Sequence, residues 1–287
     1  MEIDMTAVII ITAAVLAVCL CVWWIYFETT AVKVTEIEIQ NERIPKGFEG
    51  YKIIQLSDLQ NSKFPGFYEK ISTLCKQQNP DIIVFTGDLI DRRKYNLQNA
   101  REFLEKISGI APIYYVTGNH EAWCGRYDEV QALLDEFGIK VLSGKVERLI
   151  KNGEKINLCG VDDPGFIAFG QKYDEMRDRE FCENLRAVLK DDGYNILLTH
   201  RPEYLEEYGK LGADLVFCGH AHGGQFRLPL IGALFAPHQG TFPKLTEGIH
   251  KSGSATEIIN RGLGNGKFQF RTFNRPEITA VRLKCGK

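Results

Sequence analysis

The chain has 287 residues, of which 44% are hydrophobic and 25% are charged, and this composition excludes a disordered tail protein. Its 35 basic and 37 acidic side chains nearly balance, so the charge count does not support a broad basic surface for nucleic acid or anionic lipid. About 260 residues follow an apolar N-terminal segment, a length that suits one large domain.

An uncharged apolar segment covers residues 6–27, after a short tail of residues 1–5. As a helix it would be about 33 Å long, enough to span a hydrocarbon core of about 30 Å. Trp23, Trp24 and Tyr26 cluster at its end, where aromatic rings prefer the membrane interface. A cleaved signal peptide would need a basic start and a small-x-small cleavage site, and neither is evident. We therefore predict an uncleaved transmembrane anchor, with a cleaved signal peptide and a buried core helix as the alternatives.

The charges that flank this segment bear on its orientation. Residues 1–5 contain no Lys or Arg, whereas the other flank offers Lys33, Arg43, Lys46 and Lys52. The positive-inside rule then weakly favours a cytoplasmic position for the large domain. The predicted location is the cell membrane, with a single N-terminal pass.

Residues 28–46 are predicted to form a linker and a first edge segment, and residues 47–287 a single domain. Short apolar runs recur in this domain, and most end in polar or glycine-containing turns: YKIIQL, DIIVFT, IYYVT, INLCGV, NILLT and DLVFC. Helical periodicity separates several of them, in residues 67–78, 96–108, 127–137, 174–190 and 202–210. Strands that alternate with helices indicate an α/β fold with buried sheets covered by helices. In such folds, ligands gather where the carboxyl ends of strands open into loops.

One connection, residues 223–248, is unusually long and combines Gly and Pro with many apolar side chains. Loops of this length in a compact domain are usually functional or disordered, and the apolar content argues against disorder. We predict an ordered flap beside the site. Its apolar residues either pack a small subcore or line a mouth for an acyl or polyprenyl chain, because a tethered enzyme meets lipid substrates at high effective concentration.

Carboxylate, amide and imidazole groups follow the predicted strands. The residues are Asp58, Gln60, Asp88, Asn119, His120, His200, His220 and His222. Mixed oxygen and nitrogen donors without a thiolate suit Mn²⁺, Fe or Zn²⁺ better than a structural cysteine site. Residues at i and i+2 of an extended turn point the same way, so Asp58 with Gln60, and His220 with His222, can each present a pair to one centre. His238 and His250 lack a paired donor and are left outside the site.

The motifs DLQ, GDLID, GNHE, THR and GHAH together resemble those of the calcineurin-like metallophosphoesterase superfamily. The runs GHAHGGQFRLP, APHQGTFPK, NRGLGN and FNRPE resemble its membrane-anchored bacterial branch. The resemblance covers nearly the whole chain after the apolar segment. It implies a four-layer α/β/β/α metallophosphoesterase sandwich, preceded by one transmembrane helix, with a dinuclear metal site at the strand ends.

The resemblance also implies a ligand set for two divalent metal ions, which could be Mn, Fe, Zn or Mg. The first ion would be held by Asp58, Gln60, Asp88 and His222, and the second by Asp88, Asn119, His200 and His220. Asp88 would bridge the two ions, and His120 would be the catalytic histidine. Asp91 is expected to orient neighbouring groups; Glu121 either orients His120 or is solvated.

Position 60 departs from the family pattern, which usually reads D-x-H where this chain reads Asp58-Leu59-Gln60. A glutamine amide oxygen can ligate a metal, but it is neutral and harder than imidazole. Ligation by Gln60 would therefore weaken the first site or shift it toward Mn²⁺ or Mg²⁺. The alternative is that Gln60 only lines the pocket.

Guanidinium groups suit phosphate oxygens, and two arginines follow predicted strands closely. We expect Arg201 and Arg261 to bind substrate. Asp162 and Asp163, which precede Pro164, are predicted to form a turn.

These features predict a membrane-anchored, metal-dependent hydrolase of phosphoester or pyrophosphate bonds. Some relatives in the branch resemble hydrolases of UDP-diacylglucosamine, so a lipid-linked diphosphate is a candidate substrate. The expected partners are the lipid bilayer and a phosphorylated small molecule or lipid, with no nucleic acid. The alternatives are a noncatalytic metal-binding scaffold of the same fold and a nucleotide or nucleic-acid phosphodiesterase.

Overall fold

The computed structural model describes residues 5–167, 175–189, 192–266 and 268–286. The chain begins with helix α1 (Met5–Thr30), which has a mean hydropathy of 2.8 over its most apolar window, and none of that window is buried. Among the described residues it is the one helix long and apolar enough to cross a membrane. Of the predicted N-terminal tail, residues 1–4 lie outside the described residues.

The first half of the domain alternates strands and helices. Its elements are β1 (Lys33–Asn41), β2 (Lys52–Leu56), α2 (Phe67–Gln78), β3 (Ile82–Thr86), α3 (Leu97–Ile107), β4 (Ile113–Val116), α4 (Asn119–Trp123), α5 (Tyr127–Glu136), β5 (Lys140–Val141), β6 (Lys145–Lys151) and β7 (Glu154–Gly160).

The second half repeats the alternation and adds short hairpins. Its elements are α6 (Glu175–Val188), β8 (Asn195–Leu198), α7 (Leu205–Lys210), β9 (Leu215–Cys218), β10 (Arg227–Leu228), β11 (Gly232–Ala233), β12 (Phe235–Ala236), β13 (Gly240–Thr241), β14 (Gly248–Ser252), β15 (Ala255–Ile259) and β16 (Glu277–Cys285). The five helices that the periodicity predicts lie at the expected positions, although residues 202–210 start with a turn of 3-10 helix at Pro202. Helix α4 is not predicted, because the sequence pattern places its first residues in a turn after β4. Residues 174 and 190 of the predicted helix lie outside the described residues.

The strands form two six-stranded sheets. The first has the order β1-β16-β2-β3-β4-β5 and the second the order β14-β15-β9-β8-β7-β6. Strands β2, β3 and β4 run parallel, with Ile53 opposite Ile82 and Ile83 opposite Ile113. Strands β7, β8 and β9 are also parallel. The chain end joins the first sheet because β16 pairs in parallel with β1 and antiparallel with β2.

The two sheets pack face to face through apolar side chains that include Ile53, Val84, Ile196 and Phe217. The outer face of the first sheet is covered by α2, α3 and α5, and that of the second by α6 and α7. Both faces of the central strands are therefore buried, which is why their sequences are continuous apolar runs instead of alternating ones. The arrangement confirms the predicted four-layer α/β/β/α class.

The predicted flap, residues 223–248, contains two short hairpins. Strand β10 pairs with β11, and β12 pairs with β13. The flap is fastened to the segment after β15, since Phe226 bridges Thr272 and the amide of Arg227 donates to the Thr272 carbonyl at 3.1 Å.

Candidate metal centre

The predicted donors come together because they follow strands that end at one edge of the sandwich. Asp58, Asp88, His200 and His220 are each the second residue after β2, β3, β8 and β9, respectively, and Asn119 begins α4 after β4. Parallel strands of two facing sheets bring these ends to the same place. These residues follow the ends of strands in the structure, as the sequence pattern indicates.

The side chains converge into two overlapping groups. Ligand atoms of Asp58, Asp88 and His222 all lie within 4.8 Å of one another. His200 Nε2 lies 3.4 Å from Asp88 Oδ2 and 3.1 Å from His220 Nδ1. Asp88 therefore stands between both groups, and all five side chains are buried.

Most of these donors have an unusual backbone conformation that sets the direction of the side chain. Asp58, Gln60, Asp88, His220 and His222 have positive φ angles of 51°, 47°, 57°, 67° and 49°. A residue other than glycine held in this region costs about 1–3 kcal/mol and persists where the surroundings enforce it, often at functional sites.

Two glycines leave room for the carboxylates. A Cβ at residue 118 would lie 2.3 Å from Asp88 Oδ1, and one at residue 219 would lie 2.4 Å from Asp58 Oδ2. No larger side chain fits at Gly118 or Gly219 without moving a donor. The glycines of GNHE and GHAH are therefore part of the cradle and not only turn formers.

The donor chemistry fits a divalent metal ion. Within the described part of the chain, the buried oxygens Gln60 Oε1 and Asn119 Oδ1 have no hydrogen-bond partner. An unsatisfied buried polar atom costs about 1–3 kcal/mol, and a bound cation would satisfy both. Oxygen and imidazole donors without thiolate suit Mn, Fe, Zn and Mg.

The Gln60 amide lies beside the group formed by Asp58, Asp88 and His222. Its Nε2 lies 3.0 Å from Asp88 Oδ2 and 3.0 Å from His222 Nε2. Rotation of the amide by half a turn presents Oε1 to the same point. Gln60 is therefore within reach of the first metal position, and both alternatives for its role remain open.

The carboxylates at the site favour a positive charge beside them. Burial disfavours a charged imidazole, but the nearby Asp88 carboxylate outweighs it and raises the pKa of His200 to about 10. Burial opposes ionisation of Asp88, yet His120 and His200 hold its pKa far below the ordinary value. Metal binding displaces such protons from its ligands.

His120 lies beside this cluster. Its Nε2 is 3.9 Å from Asp88 Oδ2 and its Nδ1 is 3.2 Å from Asp91 Oδ1. Burial by itself lowers the pKa of His120. The carboxylates of Asp88 and Asp91 raise the pKa by a larger amount, so the net shift is upward. Asp91 thus contacts His120, and the Arg92 backbone amide also donates to His120 Nδ1 at 3.1 Å.

Glu121 does neither of the things that the sequence suggests for it. Its carboxylate is fully buried and accepts hydrogen bonds from the backbone amides of Asp88 at 2.8 Å, Ile90 at 3.2 Å and Gly118 at 2.8 Å. It makes no hydrogen bond to His120 among the described contacts and does not face solvent. Glu121 instead holds the loops after β3 and β4 together.

The expected substrate contact of Arg201 is wrong in this structure. The side chain is fully buried and its guanidinium forms a two-pronged ion pair with the carboxylate of Asp163. Its Nη1 lies 3.1 Å from His220 Nε2. Arg201 therefore contacts the Nε2 side of the His220 ring. Asp163, predicted as a turn former, holds the Arg201 guanidinium in place.

Arg261 is likewise engaged elsewhere. Its guanidinium pairs with Glu247 and lies 3.9 Å from Glu277. Arg261 is not among the residues that line the cavity over the cluster, whereas Arg93 is. The structure thus gives no support to the predicted substrate contact of Arg261.

A cavity of about 310 Å³ opens over the donors. Trp123, Phe235 and Phe268 form part of its wall. His238, which sequence reasoning leaves outside the site, also lines it, and its ring stacks on that of His220 with centroids 5.2 Å apart. Its sequence neighbours give it no paired donor, so motif reasoning leaves His238 out. Its position in a flap predicted to lie beside the site is the one signal that could have included it.

Two facing sheets with oxygen and nitrogen donors at their shared edge define a metal-binding α/β/β/α sandwich. The chain belongs to the calcineurin-like phosphoesterase family, whose sequence profile matches residues 51–224. It is accordingly a metal-dependent phosphoester hydrolase, and the family implies divalent metal ions. The family resemblance seen in the sequence is confirmed.

Three relatives are similar over most of their length. YkuE, an uncharacterized metallophosphoesterase of Bacillus subtilis, is 31% identical, with 90% of this chain and 88% of that protein covered. The phosphodiesterase YaeI of Escherichia coli is 27% identical, covering 81% and 82%. The UDP-2,3-diacylglucosamine pyrophosphatase LpxG of Chlamydia muridarum is 26% identical, covering 91% and 92%.

Proposed function

We propose that this protein is a membrane-anchored phosphoesterase that uses two divalent metal ions to hydrolyse a phosphoester or pyrophosphate bond. A lipid-linked diphosphate such as UDP-diacylglucosamine is the favoured substrate class. The observation that carries the proposal is the convergence of buried donors from both sheets around Asp88, with two amide oxygens left without partners.

Each ion would have its own ligands, with Asp88 common to both sets. Those of the first are Asp58, Gln60, Asp88 and His222; those of the second are Asp88, Asn119, His200 and His220. When bound, such ions supply Lewis-acid stabilisation of phosphoryl oxygens and a reactive water near neutral pH. The oxygen and imidazole donors accommodate Mn, Fe, Zn or Mg.

Asp88 and His120 carry the remaining roles. Asp88 Oδ1 accepts a hydrogen bond from the His120 amide at 2.8 Å, which fixes the carboxylate while Oδ2 faces both ligand groups. His120 lines the cavity and is held by Asp91. It is therefore placed to stabilise the developing charge or to protonate the leaving oxygen, a contribution typically worth about 10²–10⁴ in rate.

Anchoring and lipid preference are supported by separate observations. The apolar helix α1 is long enough to span a bilayer, and charges after it weakly favour a cytoplasmic domain. The cavity has an aromatic wall beside its polar floor. The relative LpxG is named for an activity on a diacylated sugar nucleotide.

A substrate and metal panel tests the proposal. The full chain in detergent is stripped with a chelator, reloaded with Mn²⁺, Fe²⁺, Zn²⁺ or Mg²⁺, and assayed on an aryl phosphodiester, UDP-diacylglucosamine and the unacylated sugar nucleotide. We expect metal-dependent turnover, fastest on the acylated substrate. A faster reaction with the unacylated compound would contradict the lipid preference.

Matched variants separate catalysis from folding. Asp88→Asn and His220→Ala should each remove nearly all activity while circular dichroism stays unchanged. His250→Ala, outside the cluster, should keep wild-type activity. Absence of turnover by the wild type with every metal would favour the noncatalytic scaffold instead.

A further inference from the structure

The exposed apolar side chains of the domain are concentrated beside the cavity. Outside α1, twelve large apolar side chains of the described residues are exposed, and eight of these fall within residues 228–242 and 268–273. Leu230 is fully exposed and Phe242 is 66% exposed. We define the rim patch as Leu230, Ile231, Phe235, Phe242, Phe268 and Phe273. Contiguous exposed apolar surface of this kind marks an interaction site or a membrane contact.

The two segments form one surface. The ring of Phe226 packs against Phe268 and Phe270, with centroid distances of 4.8 and 5.2 Å. The Leu234 amide donates to the Phe226 carbonyl at 2.9 Å, and the Phe242 amide donates to the Leu234 carbonyl at 3.1 Å. The hairpins and the segment 268–273 are therefore held side by side.

The flap part of the rim patch, residues 230–242, contains no charged residue. No Asp, Glu, Lys or Arg occurs between Leu228 and Pro243, and the guanidinium of Arg227 at the edge of this stretch pairs with Glu247 at 2.6 Å. A charged side chain would be costly in an apolar phase. An uncharged surface rich in Phe, Leu and Ile is what an interfacial membrane contact requires.

The patch is continuous with the end of α1. The Trp24 ring contacts Phe273 with centroids 4.8 Å apart, and the Arg275 guanidinium lies 4.9 Å from the centre of the Phe27 ring. The Glu28 carboxylate accepts a hydrogen bond from the Asn274 amide at 2.8 Å. Trp24 lies in the last part of the apolar segment, so Phe273 stands at the level where that segment would leave the bilayer.

We propose that the rim patch enters the interfacial layer of the same membrane that holds α1, so that the cavity opens at the lipid surface. The inference rests on the proposed anchoring and extends it to the orientation of the site. Phe235 and Phe268 belong both to the rim patch and to the cavity wall. A lipid headgroup could thus pass from the bilayer to the metal centre along apolar surface.

Fluorescence quenching in nanodiscs tests this orientation. The full chain carries Leu230→Trp or Phe242→Trp, with Ile150→Trp as the matched control, because Ile150 is 75% exposed on β6 of the second sheet. Nanodiscs contain equal parts phosphatidylcholine and phosphatidylglycerol, with or without brominated chains. Signals are read as differences from wild type, which has Trp23, Trp24 and Trp123.

The added tryptophans at 230 and 242 should shift to the blue and lose fluorescence to brominated lipid more than to aqueous iodide, since interfacial groups lie about 5–10 Å into the headgroup boundary. The one at 150 should show the reverse. Iodide quenching at 230 and 242 equal to that at 150 would overturn the proposal.

A second pair of measurements separates this inference from the proposed function. Leu230→Asp combined with Phe242→Asp should slow hydrolysis of a vesicle-embedded lipid diphosphate and leave a soluble aryl phosphodiester unaffected. If the double variant kept the same fraction of the wild-type rate on both substrates, the inference would be contradicted. Failure of the wild type to hydrolyse either one rejects the catalytic proposal, while the quenching result still decides the orientation. Failure to stay in nanodiscs rejects both anchoring and orientation.

Discussion

Position 60 is the residue at which this chain departs from the family pattern. Its amide nitrogen lies 3.0 Å from both Asp88 Oδ2 and His222 Nε2, so the amide is within reach of the proposed first metal position. An amide oxygen is a neutral ligand and binds hard cations in preference to zinc. If Gln60 ligates the first metal, the metal preference of that site would depend on this one side chain.

The substitution Gln60→His tests that dependence. We expect it to raise the metal content after dialysis and to shift preference from Mn²⁺ or Mg²⁺ toward Zn²⁺, because imidazole suits zinc better. Metal analysis and activity are compared with wild type. Gln98→His on the exposed face of α3 controls for an added imidazole. Unchanged stoichiometry and preference would show that Gln60 only lines the pocket.

Glu257, which lies outside the metal centre, makes the free energy of unfolding depend on pH. The carboxyl is buried on β15, where Cys218 Sγ donates to it at 3.2 Å. Burial, with a further contribution from Glu203, raises its pKa well above the ordinary 4.5. The folded state therefore keeps a proton that the unfolded state releases, so stability falls as pH rises above the unfolded value.

The variant Glu257→Gln should remove this dependence. Its melting temperature should exceed that of wild type by more at about pH 8 than at about pH 6, with a gain of about 2–4 °C for each kcal/mol. Thermal unfolding in detergent measures it. Glu206→Gln, exposed on α7, should show no such trend. An offset for Glu257→Gln that is the same at both pH values would contradict the expectation.

Among the elements, the segment of residues 271–275 connects the end of α1 to the metal loop. The Asn274 side-chain amide donates to the carbonyls of His222 at 2.7 Å and Gln225 at 3.2 Å, and its backbone amide donates to Glu28. Arg271 donates to the Gly262 and Gly264 carbonyls. One short segment thus contacts both the end of α1 and the loop that carries His222.

Asn274→Ala should loosen that loop. It leaves two carbonyls without their donor, at a cost of about 1–3 kcal/mol for a buried group. We expect weaker metal binding as well as lower stability, measured by metal titration and by thermal unfolding. Asn184→Ala, at an exposed position of α6, serves as the control. Lower stability with unchanged metal affinity would show that the contact does not position His222.

The elements themselves follow closely from local sequence. Helices α2, α3 and α5 lie within a residue of the predicted limits because apolar spacing of 3.6 residues is a local property. The buried strands are read as apolar runs for the same reason. The order of strands in the sheets and the entry of β16 beside β1 are not local, and the sequence pattern does not contain them.

At the scale of the whole molecule, the proposed anchoring through α1 would place the enzyme at the membrane. The proposed anchoring predicts that the full chain remains with membranes after an alkaline carbonate wash. A cytoplasmic domain predicts protection from external protease in intact cells and digestion after permeabilisation. Release by carbonate would contradict anchoring, and digestion in intact cells would reverse the orientation.

The sequence by itself determined the family and the fold class, and it predicted the donors, because each predicted donor follows an apolar run and belongs to a short motif. Tertiary structure decided the partners of the other polar residues. Arg201 and Asp163 are 38 positions apart, and His238 reaches His220 only through the folded flap. Such contacts arise when two sheets and a flap pack together. No local pattern encodes them, since burial and pairing depend on which distant surfaces meet.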